Sequence, residues 1–329
     1  MTITSSTIRI EKNGGPEEMK LLELPVGEPG PGEIRIRHHA CGLNFIDVYQ
    51  RSGVYPLPLP LTLGMEGAGL IEAIGEGVTH LKPGDRAAYA AHPPGSYAVA
   101  RVMPAKNVCR LPDRISLETG ASMMLKGLTA QYLLRRTLPQ QGLQAGDHVL
   151  FHAAAGGVGL IACQWARAMG VTMIGTVSTD EKAAVARANG CTHTIVTSRE
   201  NIAQRVREIT DGKGVPVVYD SVGKDTLEAS LDSLQPRGSL VSNGTTSGPV
   251  VIDSQTLAVK GSIWVTRPAM MHYITPRAHM LSMAEELFGH VLAGRIVSEP
   301  KQSFALADAA DAHRALESRA TTGATVLVP

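Results

Sequence analysis

A run of small residues, framed by an apolar stretch and an amphipathic one, stands between positions 148 and 170. His148-Val149-Leu150-Phe151 is a short apolar run, and His152-Ala153-Ala154-Ala155-Gly156-Gly157-Val158-Gly159 follows as a turn of small residues. Val158, Ile161, Ala162, Trp165 and Met169 then recur at helical spacing up to a stop at Gly170. Strand, tight turn and helix make the opening unit of a dinucleotide-binding fold. Small turn residues let backbone N–H groups approach a pyrophosphate, and the helix N-terminus adds its partial positive charge. In the pattern G-x-G-x-x-G the turn supplies Ala154, Gly156 and Gly159, with Ala in the first glycine's place. The expected phosphate cradle is the backbone of Ala155, Gly156, Gly157 and Val158. Glycine turns also occur with no ligand; the strand before and the helix after favour a cofactor here.

A dinucleotide fold selects NAD with an acid at the end of its second strand, bound to both ribose hydroxyls. This chain ends that strand Gly175-Thr176-Val177-Ser178-Thr179. The acid is missing, and Ser178 with its neighbours leaves room for a 2′-phosphate. Asp180 is the rival reading, but it sits where a helix N-cap belongs. Lys182, in the next turn, is either a phosphate ligand or a solvated helix lysine.

The rest of the chain divides into a β-rich part and an alternating α/β part. At 329 residues the chain is long enough for two domains. Its hydrophobic share of 43% and charged share of 19% are those of a soluble globular protein. A net charge of +1 and 4% aromatics give no field or stacking surface for nucleic acid. No apolar run is long enough to span a membrane, and residues 1 to 10 carry no apolar signal core. Cys41, Cys109, Cys163 and Cys191 are far apart, which suits a reducing cytoplasm and argues against a cysteine zinc cluster.

Residues 7–12, 19–24 and 33–40 read as strands separated by Gly/Pro turns, and 44–53 as a short helix ending at Gly53. His38 and His39 lie side by side on a strand and so face opposite ways, one packed and one solvated. Gly64-Met65-Glu66-Gly67-Ala68-Gly69 leads into a strand at 70–74, and further short strands are expected at 87–91, 96–101 and 108–111. This first part is a barrel or partly open barrel. From 127–138, a helix, the period changes. Strands at 171–177, 192–196, 215–220, 238–242 and 261–266 alternate with helices at 180–189, 202–210 and 226–234. Such alternation predicts a doubly wound parallel sheet. Helices at 278–293 and 306–318 and a closing strand at 325–327 end the chain, so the sheet domain is inserted in a second domain built from both ends. The expected division is 1–126 with 268–329, and 127–267.

Three features converge: the β-rich first part, Gly64-Met65-Glu66-Gly67-Ala68-Gly69, and Ala154-Ala155-Gly156-Gly157-Val158-Gly159. Their order and spacing resemble the medium-chain dehydrogenase/reductase superfamily. Within it the chain is similar to the zinc-independent quinone oxidoreductases of the zeta-crystallin type, nearest to their bacterial NADPH-dependent members. Asn44-Phe45-Ile46-Asp47, Arg51-Ser52-Gly53-Val54-Tyr55-Pro56, Lys126-Gly127-Leu128-Thr129-Ala130, Val218-Tyr219-Asp220-Ser221-Val222-Gly223 and Glu317-Ser318-Arg319-Ala320-Thr321 carry the likeness from end to end. The resemblance implies a GroES-like, partly open barrel catalytic domain with an inserted Rossmann domain. Its zinc relatives place a Cys ligand where this chain has Asn44 and a His where it has Met65. An amide and a thioether are poor zinc ligands, so no catalytic metal is expected. A structural role is expected for Glu66.

By the same resemblance Asn44, Tyr49 and Tyr55 orient the electron acceptor or donate hydrogen bonds to its oxygen. Lys126, Thr129, Ser242 and Asn243 stand at the nicotinamide end of NADPH. Lys182 and Arg319 hold the 2′-phosphate; the family's third residue there is a Tyr, and Thr197 replaces it. The implied reaction is hydride transfer from NADPH to a quinone, with NADPH-dependent reduction of an enal or enone C=C bond as the alternative. A non-enzymatic, RNA-binding role is known among zeta-crystallins and finds no support in the charge. The apolar Ser262-Ile263-Trp264-Val265 strand could pair with a second copy, and the resemblance favours a homodimer.

Overall fold

Strands of period two build the first part of the chain. Ile8 and Ile10, and Ile34 and Ile36, are buried at alternate positions, as strands with one face on a core require. The structure is a computed structural model describing residues 2–138 and 142–329. It runs β1 (Ile3–Ile10), β2 (Lys20–Val26), β3 (Glu33–Leu43), the helix α1 (Phe45–Ser52), β4 (Leu61–Thr62), β5 (Glu66–Ile74), β6 (Arg86–Ala90), β7 (Ala100–Pro104) and β8 (Cys109–Arg110). A small sheet has the order β2-β1-β4, while β3 pairs antiparallel with both β5 and β7. His38 is buried, its Nδ1 2.7 Å from the Ala98 carbonyl and its Nε2 2.7 Å from the Tyr89 hydroxyl. His39 is exposed beside Glu118. The pair divides between packed and solvated faces as the alternation predicts.

The helix expected from Gly127 begins earlier: α2 spans Leu117–Arg136. The Ser116 hydroxyl accepts the Thr119 N–H at 3.0 Å and starts it. Gly120 is a packing glycine inside the helix, where a Cβ would come 2.8 Å from Leu111 and 3.2 Å from Ala68.

The middle of the chain alternates β9 (His148–Phe151), α3 (Gly157–Ala168), β10 (Thr172–Val177), α4 (Asp180–Ala188), β11 (His193–Val196), α5 (Ile202–Ile209), β12 (Val215–Asp220), α6 (Leu227–Ser233), β13 (Leu234–Ser242), α7 (Ser254–Val259), β14 (Trp264–Thr266) and α8 (Met270–Tyr273). The six strands form one parallel sheet in the order β11-β10-β9-β12-β13-β14. Leu150, Ile174, Val218 and Leu240 fill its core. The order reverses beside β9, so the glycine turn after β9 stands at the switch point where doubly wound sheets bind ligands.

α9 (Arg277–Leu292), β15 (Pro300–Ala305), α10 (Ala309–Glu317) and β16 (Ala324–Val328) complete the chain. β16 pairs antiparallel with β3 and parallel with β15, closing the larger sheet β15-β16-β3-β5-β6-β8. The closing strand is the one expected from sequence, whereas β15 is not anticipated there. Two compact units result: 1–126 with 276–293 and 298–329, and 127–275 with 294–297. Residues 268–275, placed with the first part from sequence, belong to the sheet unit. Tyr273 explains it, stacking on Tyr132 with ring centroids 4.4 Å apart and planes 12° from parallel.

Candidate functional site

In the first unit, polar groups gather where α1 begins. The Asn44 N–H donates to Asp47 Oδ2 at 2.9 Å, half of a capping box, and Gly53 ends the helix with φ +83°. Asn44 Nδ2 donates to Glu66 Oε2 at 2.9 Å and to the Gly42 carbonyl at 3.4 Å. The amide's orientation is settled by chemistry, because the Gly42 carbonyl can only accept. Lys126 Nζ reaches the same Oε2 at 3.0 Å, and the Leu125 N–H reaches Oε1 at 2.8 Å. Glu66 and Lys126 are both buried. Room for the carboxylate depends on Gly42, where a Cβ would lie 2.2 Å from Glu66 Oε2 and 2.3 Å from the Ala121 carbonyl.

Asp47 is wholly buried and also accepts the Tyr97 hydroxyl on Oδ2 at 2.9 Å, while its Oδ1 has no partner. Burial pushes its carboxyl up to about 7, against the opposing hydrogen bonds from Asn44 and Tyr97. Tyr49 lies one helical turn beyond Phe45, and its ring meets that of Tyr55 edge to face at 5.1 Å. Tyr55 remains 37% exposed, so that side of the pair is open to a ligand. The structure thus brings Asn44 and Lys126 together on Glu66, and Tyr49 to Tyr55.

In the second unit, the turn after β9 is shaped for close approach. Ala153 takes the left-handed conformation, with φ +56°. A Cβ at Gly159 would sit 2.6 Å from the carbonyl oxygens of Ala153 and Ala154. The third glycine of the pattern therefore lets α3 start directly against the turn, with Ala155, Gly156, Gly157 and Val158 at its head. Ser178 and Thr197 are exposed at the ends of the neighbouring strands β10 and β11, and the Thr197 hydroxyl donates to the Val177 carbonyl at 3.2 Å. Lys182 is on the first turn of α4, its N–H donating to the Thr179 hydroxyl at 3.3 Å. Thr179, not Asp180, is the N-cap. Asp180 instead binds Arg199 through two 2.6 Å contacts. That pairing holds its carboxyl below the usual range. The acid that rivalled the 2′-phosphate reading is thereby neutralised by a guanidinium.

Asn243 N–H donates to the Asp220 carbonyl at 2.7 Å, and Arg267 braces the turn through Ser242 Oγ at 3.0 Å and the Gly244 carbonyl at 2.7 Å. The Asn243 Oδ1 is buried with no partner, an acceptor awaiting a donor. Thr129 is buried on α2 and hydrogen-bonds Tyr132. Arg319, at φ +60° just beyond α10, belongs to the first unit, so only Ser178, Lys182 and Thr197 of the residues expected near the 2′-phosphate share one unit. The glycine cradle and the orphaned Asn243 acceptor fit a dinucleotide.

Sequence reasoning passes over the groups that hold both centres. Asp220 accepts from the N–H groups of Val222 and Gly223 and the hydroxyls of Thr226 and Ser230, at 2.7 to 2.9 Å. Ser230 also meets His152 Nε2 at 2.9 Å, whose Nδ1 meets Thr176 at 3.0 Å. Burial pushes the His152 imidazole down. The signals that could have found these groups are the acid closing the apolar strand Val215–Asp220 and the Asn44…Asp47 spacing of a capping box. Among the described residues no three His, Cys, Asp or Glu side chains are grouped to hold a metal ion.

Residues 30–137 match the family model described as alcohol dehydrogenase GroES-like domain, and residues 157–285 that described as zinc-binding dehydrogenase. A quinone oxidoreductase of Pseudomonas aeruginosa is 54% identical, covering 98% of this chain and 99% of its own. A 2-haloacrylate reductase of a Burkholderia species is 46% identical, covering 97% and 98%. The crystal structure of Escherichia coli quinone oxidoreductase complexed with NADPH superposes with TM-score 0.96 at 46% identity, over 100% of both chains. This chain belongs to the quinone oxidoreductase family of the medium-chain dehydrogenase/reductase superfamily.

Proposed function

We propose that the protein is an NADPH:quinone oxidoreductase that works without zinc. The observation that carries the reading is the coordination of Glu66. Zinc relatives would ligate a cation through the residues at 44 and 65; here Asn44 and Lys126 both donate to Glu66, and Met65 offers only a buried thioether. A cation brought there would have to displace a buried ammonium from its carboxylate, which is strongly unfavourable.

NADPH, when bound, supplies a hydride. Residues 127–275 with 294–297 would serve as its binding domain, with the turn at Ala155, Gly156, Gly157 and Val158 on the pyrophosphate. Ser178, Lys182 and Thr197 would hold the 2′-phosphate, and Thr129, Ser242 and Asn243 would serve the nicotinamide end, all within one unit. Residues 1–126 with 276–293 and 298–329 form the catalytic domain. There Tyr49 and Tyr55 present ring faces to a flat acceptor. Lys126, with three ammonium protons and one engaged by Glu66, meets negative charge developing on the acceptor oxygen. Asn44 holds Glu66 in place through its side-chain amide. In the net reaction a quinone takes up one hydride and one proton and leaves as the hydroquinone. The 2-haloacrylate reductase relative favours one further reading, reduction of an activated C=C bond in the same site. The exposed Trp264 and Val265 on the edge strand β14 suit pairing with a second copy into a homodimer. Four free, buried cysteines suit the cytoplasm.

The test is initial rates of NADPH and NADH oxidation with a small quinone and an enal, with and without a strong chelator. NADPH-preferring, chelator-insensitive quinone turnover is expected. Turnover of the enal alone moves the function to a C=C reductase, and loss of activity with chelator removes the zinc-free reading. Lys182→Ala should weaken NADPH binding about tenfold and leave NADH unchanged, as loss of one charge-assisted contact requires.

A further inference from the structure

Behind the candidate acceptor site a string of buried polar side chains runs from α1 to the C-terminal helix, all within the first unit. Arg51 donates through Nη1 to His313 Nδ1 at 2.9 Å and forks onto Glu317 at 2.8 and 3.0 Å. His313 Nε2 lies 3.1 Å from the Tyr97 hydroxyl, which lies 2.9 Å from Asp47 Oδ2. His313, Arg51, Tyr97 and Asp47 are at most 2% exposed. Proton positions along this string follow from the inventory of donors. A guanidinium can only donate, so Nδ1 of His313 must accept and Nε2 must carry the proton. Nε2–H then donates to the Tyr97 oxygen, which leaves the Tyr97 O–H to donate to Asp47. Every bond points the same way, from Arg51 toward Asp47. Doubly protonated imidazole would lose the Arg51 bond, and burial beside that cation pushes His313 down to about 3. It is a fixed strut rather than a titrating switch.

The far end of the string is the candidate site itself. Asp47 Oδ2 holds the Asn44 N–H, and the Asn44 side chain holds Glu66 Oε2, which Lys126 shares. We infer that His313, on the C-terminal helix, is a positioning residue for quinone reduction: through Tyr97 and Asp47 it sets the placement of Asn44 and the Glu66–Lys126 pair. This rests on the quinone reductase reading above. It also explains Glu317, the first residue of Glu317-Ser318-Arg319-Ala320-Thr321, because its carboxylate holds the Arg51 fork that fixes the tautomer.

The experiment compares His313→Leu with His313→Gln in the full-length protein. Glutamine can accept from Arg51 through its oxygen and donate to Tyr97 through its nitrogen; leucine can do neither. NADPH-binding sites are counted by fluorescence titration, and quinone turnover is expressed per binding site. The expected result for His313→Leu is about a tenfold fall in kcat per site, as small misplacements of reacting groups produce, with the NADPH dissociation constant within about twofold of wild type. His313→Gln should recover most of that kcat. If His313→Leu only lowers the melting temperature and the number of sites, leaving kcat per site intact, the role is structural and the inference is overturned. Equal losses in both variants overturn it too. Absence of quinone turnover in the wild type, with NADPH still bound, would instead sink the functional reading and is distinguished by that control.

Discussion

Each unit buries one acid-centred polar network, and the two are built on different terms. In the sheet unit, Asp220 is saturated: two backbone N–H groups and two hydroxyls converge on its two oxygens. Neutral His152, Thr176 and Ser230 extend the network between β9, β10, β12 and α6. In the barrel unit, Asp47 is equally buried but keeps one oxygen without a partner. Its surroundings are charged, with Glu66 and Lys126 on one side and Arg51 and Glu317 on the other. A saturated network fixes one geometry, which a phosphate-binding turn needs. A network with a spare acceptor and internal charges keeps its electrostatics available to a ligand, which a site for electron transfer needs.

Removing the saturated acid should have the largest effect. Asp220→Ala removes the acceptor shared by donors of four residues, and those left buried and unsatisfied, the Gly223 N–H first, cost about 1–3 kcal/mol each. The sheet unit's melting transition should fall by roughly 10 °C or more, and calorimetry reads it directly. A small shift would mean that water replaces the carboxylate and that the two networks differ less than their hydrogen bonds indicate.

Next comes the charged pair. Lys126→Met leaves Glu66 buried beside only neutral donors, at about 3–5 kcal/mol in stability and with a large loss of quinone turnover. Adding Glu66→Gln should return most of the stability without the turnover, because the double variant removes the stranded charge but not the need for a cation at the acceptor. Recovery of turnover in the double variant would show that Lys126 serves only to neutralise Glu66.

How far these centres are legible in the chain differs between the units for a physical reason. Local pattern carries a parallel sheet: Val215–Asp220 reads as an apolar strand and is one, and the turn at 153–159 declares itself by composition. The barrel unit depends on contacts remote in sequence. Arg51 meets Glu317, Tyr97 meets His313, and β16 returns to β3, and no periodicity within a window reports such pairings. Glycine misleads where it packs rather than turns, so α2 reads from Gly127 although Gly120 and Gly127 both lie within it. Asp180 misleads in the opposite direction, since Thr179 one residue earlier has the extended backbone and hydroxyl of a cap. Asn44, Tyr49, Tyr55 and Lys126 stand out because resemblance gives them roles; it gives none to Asp47, though Asp47 lies in a matching segment, or to His313, because their importance lies in whom they touch.

The smallest expected effect is also the one that separates the two acids most cleanly. Burial raises Asp47 from its ordinary value of 3.8 to about 7. Between those values the folded protein holds a proton that the unfolded chain has released. The native state then binds more protons than the unfolded state, so stability falls as pH rises through this window and levels off above about pH 7. This is opposite to the behaviour of a salt-bridged acid, whose contribution is lost as pH falls. Asn in place of Asp47 keeps an oxygen to accept from Asn44 and Tyr97 but cannot ionise. Relative to Asp47→Asn, the wild type should therefore lose about 1 kcal/mol between roughly pH 6 and pH 8, seen as a growing gap in the barrel unit's melting temperature. If the gap stays constant across that range, Asp47 is already ionised at pH 6. Its unpartnered oxygen would then be solvated, and the contrast between a saturated and an unsaturated centre would reduce to a difference in hydration.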